Sequence, residues 1–209
     1  IPGWYNGKHG YFEFIKNSNN LRLKVNSDPY RLHFHLMPPM GWLNDPNGLV
    51  YFNGFYYIYH QYSYNPNGGE KLWYGYKSKD LINYEDLGVV LTPNSLYDKS
   101  GVYSGSAYVK NDEIVYYYTG NVKYLDKKYD YITEGREHNT IKVKSSDGKN
   151  FSKKELIFDN DAYPNMSKHV RDPKMYSKDN IEYLIKKAKE NPKISVKWNA
   201  WVDKKIQKI

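Results

Sequence analysis

The sequence predicts an all-β protein built from successive antiparallel hairpins. From Leu49 onward, short aromatic and β-branched runs alternate with Gly, Pro, Asn and Asp, and no helical pattern intervenes. Tyrosine, which favours strands, is abundant, with 24 Tyr against 7 Phe among 209 residues. Hairpins that recur every few tens of residues are typical of four-stranded propeller blades. A β-sandwich is the alternative, although its strands are usually spaced more evenly.

Four hairpins can be traced in order along the chain. The first joins residues 49–52 to residues 55–59 through Asn53-Gly54, a pair that favours a type I′ turn. A strand over residues 72–76 follows, and it ends at the turn 78–80. The remaining hairpins are predicted at residues 106–118, 140–148 and 174–185. Long loops between them, on a rigid β scaffold, are where a site is expected.

The segment after residue 180 fits two structures. Apolar residues fall at helical spacing between a cap at Asn180 and a terminating Pro192, namely Ile181, Leu184, Ile185 and Ala188. The same residues also fit a strand followed by a Lys-rich loop. We therefore divide the chain into a lead-in over residues 1–29, a partial propeller over 30–180 and a Lys-rich tail over 181–209.

Composition excludes several classes of function. Of the net charge of +8, the tail contributes eight Lys against three acidic residues, a net of +5, so a solvated basic surface is predicted rather than nucleic-acid binding. No apolar run is long enough to predict a membrane span. Zero Cys excludes disulfides and thiolate metal sites. His33 and His35 share a strand face but lack metal-site partners, so we interpret them as structural and predict no metal.

The segment 33–48 carries the most information about function. Its carboxylate, Asp45, precedes Pro46, which disfavours helical geometry at Asp45. Asn47-Gly48 follows as a tight-turn pair. Strand-like runs flank these residues, so we predict a turn that presents Asp45 at the end of a sheet. A plain turn-forming Asp is the alternative.

Several short blocks extend this pattern in a fixed order. They are Trp-Leu-Asn-Asp-Pro-Asn-Gly at 42–48, Gln61, Trp73 with Gly75, Val-Tyr-Ser-Gly-Ser-Ala at 102–107, Tyr-Thr-Gly-Asn at 118–121, Ser-Asp-Gly at 146–148 and Arg-Asp-Pro at 171–173. In this order the blocks resemble glycoside hydrolase family 32, the β-fructofuranosidases, with Tyr103 in place of the family's Phe. The resemblance implies a five-bladed β-propeller with a funnel-shaped axial site, retention of configuration at the fructose anomeric carbon, and no cofactor.

The resemblance also implies roles for particular residues. Retaining hydrolysis needs a carboxylate nucleophile and a second carboxylic acid about 5–5.5 Å away. Asp45 matches the nucleophile, and Asp172, held by Arg171, matches the transition-state stabiliser. A structural Asp-Arg turn before Pro173 is the alternative for Asp172.

Five further residues match positions that contact the substrate in the family. Trp73 and Tyr103 would form apolar walls for the fructosyl ring, with ordinary blade packing as the alternative for both. Hydroxyl-binding partners would be Asn44, Gln61 and Ser104.

One part of the family pattern is missing. The family's general acid is a Glu in a Glu-Cys motif beyond the Arg-Asp-Pro block, and this chain has no Cys. Glu182 and Glu190 lie in the wrong context and are interpreted as surface residues. At roughly 40–50 residues per blade, the chain covers about three blades plus a divergent tail. We expect either a truncated enzyme or a carbohydrate-binding module without catalysis, with open edges that favour pairing into oligomers.

Residues 35–48 look most like the bacterial sucrose-6-phosphate hydrolases. That resemblance implies a cytoplasmic enzyme acting on imported sugar. The alternatives are a secreted fructan hydrolase and a non-catalytic sugar-binding module. A related propeller hydrolase of pentosans is disfavoured by the combination of Asn-Asp-Pro-Asn-Gly with Arg-Asp-Pro.

Overall fold

The chain folds into antiparallel sheets that follow one another in sequence. The computed structural model describes residues 7–65, 69–128, 130, 133–162, 166–178, 181–187 and 204–208. The first sheet has the strand order β1-β2-β3-β4, formed by Trp42–Phe52, Phe55–Ser63, Leu72–Ser78 and Tyr84–Leu91. The second has the order β5-β6-β7-β8, formed by Val102–Lys110, Glu113–Lys123, Arg136–Ser145 and Glu155–Phe158. A short 3₁₀ helix, Asn160–Ala162, follows β8.

A third sheet completes the described part of the chain. It has three strands in the order β11-β10-β9, formed by Lys204–Lys208, Ile181–Lys187 and Arg171–Lys178. The segment that fitted either a helix or a strand is therefore a strand, because β10 pairs along its length with β9 on one side and β11 on the other. Asn180, Ala188 and Pro192, the other residues of the helical alternative, lie outside the described residues. The prediction of an all-β fold is confirmed.

Two helices precede the sheets, in the segment that the sequence left as a lead-in. They are α1, Gly7–Asn17, and α2, Asn19–Asn26. Tyr11 of α1 is buried against the first sheet, and its ring meets that of Tyr62 edge-on at 6.2 Å between centroids. The aromatic contact explains how a short helix is held on a β scaffold, since helices of this length are marginal alone.

The predicted hairpin turns have the backbone that their sequences favour. Asn53 and Gly54 have φ angles of 48° and 81°, as a type I′ turn requires. Asn111 and Asp112 join β5 to β6 with φ angles of 51° and 57°. These turns match the right-handed twist of the strands and so fix the register of both sheets.

A tyrosine-rich core joins the first two sheets. Tyr59 and Trp73 from the first sheet pack against Tyr116 and Tyr118 from the second, and all four are fully buried. The hydroxyl groups of Tyr59 and Tyr116 lie 2.9 Å apart, and Tyr59 donates to the carbonyl oxygen of Gly148 at 2.8 Å. Burial raises the pKa of both phenols. Tyr59 and Tyr116 therefore serve as core residues whose polar ends are satisfied internally.

Candidate active site

Asp45 lies in an irregular strand and not in a turn. β1 runs from Trp42 to Phe52 without a break, although its pairing with β2 shifts register just before Pro46 and again just after Asn47. The predicted turn is therefore wrong. Bulges allow a strand to contain Pro46, which has no backbone N–H group, and Gly48, whose φ of 53° is left-handed. Bulges also re-aim side chains, and the Asp45 side chain is exposed.

A line of hydrogen bonds ends on the Asp45 carboxylate. Gln61 Nε2 of β2 donates to Ser104 Oγ at 3.1 Å, and Ser104 Oγ donates to Asp45 Oδ2 at 2.9 Å. Gln61 and Ser104 are only 7% and 8% exposed, so their side chains are fixed by the surrounding sheets. Ser104 belongs to β5 of the second sheet. Two sheets thus hold one exposed carboxylate in a defined orientation.

Asn47 is a second link between these sheets, and the sequence reasoning did not single it out. Its Oδ1 accepts a hydrogen bond from the backbone N–H of Gly105 at 3.2 Å. Asn47 is 1% exposed, and its Nδ2 has no hydrogen-bond partner among the described residues. A buried amide donor without a partner is costly unless a ligand or water accepts from it. The pairing of Asn47 with Gly48 favoured a turn interpretation, which concealed this role.

Asp172, the second residue of β9, has a strained backbone conformation. Its φ is 56°, in the left-handed region that non-glycine residues seldom adopt. The Thr119 hydroxyl of β6 accepts its backbone N–H at 2.9 Å, and its carboxylate Oδ2 lies 3.5 Å from Arg171 Nε. Backbone strain that surrounding contacts maintain is concentrated at functional sites. The backbone of Asp172 is therefore held by Thr119, and its carboxylate lies beside its predicted partner, Arg171.

A cleft of about 250 Å³ brings the three sheets together at these residues. It is lined by Pro46, Asn47, Gly48, Leu49, Ser104, Gly105, Ser106, Asp172, Pro173 and Lys174. Asp172 is the one carboxylate among these lining residues, and Ser104 connects the cleft to Asp45. The volume lies below the ~300–1,000 Å³ of complete small-molecule sites. The cleft that the described residues form is therefore smaller than a complete site of this kind.

Trp73 does not line this cleft. Its side chain is fully buried in the core, and its indole N–H donates to the carbonyl oxygen of Tyr103 at 3.0 Å. Its ring is therefore not accessible to a ligand in this structure. This agrees with the alternative interpretation, in which Trp73 packs within a blade. The ring is covered because Trp73 packs on Tyr59 of its own sheet and on Tyr116 and Tyr118 of the second sheet. Its contribution is to hold the backbone of Tyr103.

Tyr103 and Asn44 lie at the edge of the site. Tyr103 is half-buried, and its ring is 5.7 Å from that of His138 between centroids. Asn44 is also half-buried, and its Oδ1 accepts a hydrogen bond from Lys71 Nζ at 3.0 Å. Neither contact was visible in the sequence, because each joins residues that are distant along the chain.

His138 lies beneath Tyr103 as a neutral core residue. It is 1% exposed, and its pKa is lowered to about 2, first by burial and then by the positive charges of Arg136, His169 and Arg171. At His138, the folded protein therefore binds fewer protons than the unfolded chain does below pH 6.5, which is the ordinary pKa of histidine. Since stability rises with pH wherever the unfolded state binds more protons, this group costs stability as the pH falls.

We expect His138 to lower the free energy of unfolding by about 1.4 kcal/mol for each unit that the pH falls below 6.5. Urea unfolding at several pH values checks it, with the His138→Leu variant compared against the parent chain. His33→Leu, at an exposed position, is the matched control. An equally steep pH dependence in His138→Leu and the parent chain would show that burial of this imidazole is not the cause.

Successive four-stranded antiparallel sheets that meet at a cleft with a carboxylate are the arrangement expected of β-propeller blades around a site. Comparison with known proteins makes the class specific. The family model "Glycosyl hydrolases family 32 N-terminal domain" matches residues 35–198. The chain belongs to this family.

Curated relatives agree with that assignment. The chain is 38% identical over 163 residues to the sucrose-6-phosphate hydrolase of Bacillus subtilis, covering 77% of this chain and 32% of that protein. It is 37% identical to the enzyme of the same name from Staphylococcus xylosus, covering 78% of this chain and 32% of that protein. The chain thus spans about a third of the length of these relatives.

Solved structures show the same fold. Sucrose-6-phosphate hydrolase from Lactobacillus gasseri matches with a TM-score of 0.72 and 30% identity, covering 84% of this chain and 35% of that one. A Bombyx mori family 32 β-fructofuranosidase matches with a TM-score of 0.70 and 28% identity, covering 88% of this chain and 37% of that one. Within the described part of the chain, no helix is long and apolar enough to cross a membrane.

Proposed function

We propose that this chain supplies the nucleophile-bearing part of the active site of a retaining β-fructofuranosidase. The observation that carries the proposal is the hydrogen-bonded line from Gln61 through Ser104 to the exposed carboxylate of Asp45. A nucleophilic carboxylate must hold one orientation toward the carbon it attacks, and this line supplies it. The relatives' names direct the proposal toward sucrose-6-phosphate, since two of the most similar are sucrose-6-phosphate hydrolases.

In the proposed reaction, an Asp45 oxygen forms a bond to the fructosyl anomeric carbon as the bond to the leaving oxygen breaks. The leaving oxygen takes a proton from a carboxylic acid, and water later hydrolyses the fructosyl ester and restores the Asp45 carboxylate. Ser104 would keep Asp45 Oδ2 in place throughout. Asp172, in the adjoining cleft, would accept hydrogen bonds from sugar hydroxyls and strengthen them as positive charge develops. The unpartnered Nδ2 of Asn47 would donate to the same sugar.

No described residue is assigned as the acid that protonates the leaving oxygen. Asp172 is the one acidic residue among those lining the described cleft, and its proposed role needs it ionised. This observation favours the second candidate function, a sugar-binding module that retains the fructosyl-facing sheets. Both candidates use the same carboxylate geometry, and they differ in whether a bond forms to Asp45. A cytoplasmic location accompanies the enzyme proposal, because the phosphorylated substrate would be an imported sugar.

An activated fructosyl donor distinguishes the two candidates. Fluoride leaves without protonation, so β-fructofuranosyl fluoride can react with Asp45 even when no general acid assists. Incubation of the purified chain with this donor is expected to add the mass of one fructosyl residue to the peptide that contains Asp45. Peptide mapping by mass spectrometry provides the measurement. Binding of the donor without any covalent product would favour the sugar-binding module, and a label on another residue would refute Asp45 as the nucleophile.

A further inference from the structure

Asn44 and Asp45 form a bulge in β1. At this point β1 contributes these two residues where β2 contributes one, Gln61. A bulge disrupts the ladder locally and leaves the extra residue without a regular partner. The orientation of the two side chains therefore depends on contacts outside the ladder. Asp45 has such a contact in its hydrogen bond from Ser104.

Lys71 supplies the corresponding contact for Asn44. It precedes β3 and is half-buried, and its Nζ donates to Asn44 Oδ1 at 3.0 Å. The same Nζ donates to Ser63 Oγ at 3.1 Å and lies 4.9 Å from the ring centroid of Trp42. An ammonium group has three N–H donors, and these three neighbours are enough to occupy them. The Lys71 side chain is therefore held at its charged end.

Ser63 is the anchor of this lysine. It is 1% exposed, and its hydroxyl donates to the carbonyl oxygen of Glu70 at 2.9 Å. Since the hydroxyl proton is used in that bond, the Ser63 oxygen is left to accept from Lys71. A buried serine thus fixes the lysine, and the lysine fixes Asn44.

The Lys71 ammonium also determines which atom of the Asn44 amide is turned toward it. An ammonium group only donates hydrogen bonds, so the amide oxygen faces Lys71 and the amide nitrogen is turned away. The reverse orientation would bring N–H donors against a cation. Within the described part of the chain, Asn44 Nδ2 donates no hydrogen bond. Its N–H groups are therefore available to a ligand.

The same lysine lies within electrostatic reach of the candidate nucleophile. Burial lowers the pKa of Lys71, the Asp45 carboxylate raises it and Lys123 lowers it. Asn44 is joined to Asp45 by a peptide bond inside the bulge, so the contact with Lys71 also constrains the backbone next to the carboxylate.

We propose that Lys71 is a positioning residue that holds the Asn44 amide so that Nδ2 donates to a hydroxyl oxygen of the fructosyl group at Asp45. This inference rests on the proposed function, because it concerns the same site and the same sugar. Lys71 acts through Asn44 and does not itself touch the substrate. Loss of its ammonium group would leave the amide free to rotate, and sugar binding would weaken for that reason.

The test is a double-mutant cycle on sucrose binding, measured by calorimetry on the Asp45→Asn chain, in which turnover cannot consume the ligand. Lys71→Met keeps the length of the side chain and removes its donors. It is expected to weaken binding about ten-fold, the loss typical of one hydrogen bond. Asn44→Ala is expected to weaken binding by a similar factor. If Lys71 acts through the amide, the double variant binds no more weakly than Asn44→Ala alone.

Two controls separate positioning from a purely structural role. Lys71→Arg keeps the charge and the donors, so it is expected to recover at least part of the lost affinity. Lys153→Met removes an exposed lysine elsewhere and is expected to bind sucrose like the parent chain. Thermal unfolding of each variant verifies folding. A lower unfolding temperature of Lys71→Met with unchanged sucrose affinity would overturn the proposal, because the lysine would then serve stability alone.

Other outcomes would also overturn it. Additive losses in the double variant would show that Lys71 does not act through Asn44. No detectable sucrose binding by the Asp45→Asn chain would mean that no sugar meets the amide. The proposed function fails separately. Absence of fructosyl labelling at Asp45 in the parent chain, with the effect of Lys71 on sucrose binding intact, would refute the nucleophile and leave the positioning role standing.

Discussion

Replacing Asp45 with Asn is expected to abolish covalent transfer of the fructosyl group from fructosyl fluoride to the chain. The amide is isosteric with the carboxylate and can still accept from Ser104 Oγ, so the local structure is kept while the nucleophilic charge is lost. Removing the nucleophile of a covalent enzyme lowers its rate by on the order of 10⁴–10⁶. The measurement is the rate of fluoride release together with the mass of the labelled protein.

Two further variants test whether the effect is specific to Asp45 and whether it depends on the hydrogen bond from Ser104. Asp126→Asn removes an exposed carboxylate elsewhere in the second sheet's loops and is expected to react like the parent chain. Ser104→Ala keeps the nucleophile but removes its 2.9 Å hydrogen bond, so a partial loss of about ten-fold is expected. Labelling of Asp45→Asn at the parent rate would eliminate Asp45 as the attacking group.

The fold was accessible from the sequence because its information is local. The Asn53-Gly54 pair specifies a type I′ turn, and alternating aromatic residues specify strands, whichever sheet they join. The helix over Gly7–Asn17 was missed because its stability depends on Tyr11 meeting Tyr62, a residue about fifty positions away. Likewise, only pairing with β9 and β11 decides that Ile181–Lys187 is a strand.

The candidate site shows the same division between local and distant information. The motifs named Asp45, Gln61 and Ser104, and the structure brings these three together through hydrogen bonds. The motifs could not show that Trp73 is fully buried, since Tyr116 and Tyr118, which cover its ring, belong to another sheet. Nor could they single out Lys71, whose contact with Asn44 spans 27 positions. Motif spacing identifies reactive residues, and the packing decides which side chains support them.

The second large effect expected of this chain is a dependence of its rate on the leaving group. The leaving groups of sucrose and sucrose-6-phosphate depart as sugar alkoxides, which need a proton in the transition state, whereas fluoride does not. Among the lining residues of the described cleft, Asp172 is the only carboxylate, and its proposed role requires it ionised. The 209-residue chain is therefore expected to cleave these sugars about 10²–10⁴-fold more slowly, relative to fructosyl fluoride, than an enzyme with an intact acid.

Parallel assays of glucose release and fluoride release on the same preparation measure this ratio. Formate provides a control that does not require a variant, because a small carboxylic acid supplied in solution can donate the missing proton. Added formate is expected to accelerate sugar cleavage and to leave the first-turnover release of fluoride unchanged, with the acceleration declining as the pH rises and formic acid ionises. Rapid sucrose cleavage without formate, abolished by Asp45→Asn, would show that the chain contains its own proton donor. Glu70 would then be the first residue to replace, since burial raises its pKa to about 7 and so keeps a fraction of it protonated at neutral pH.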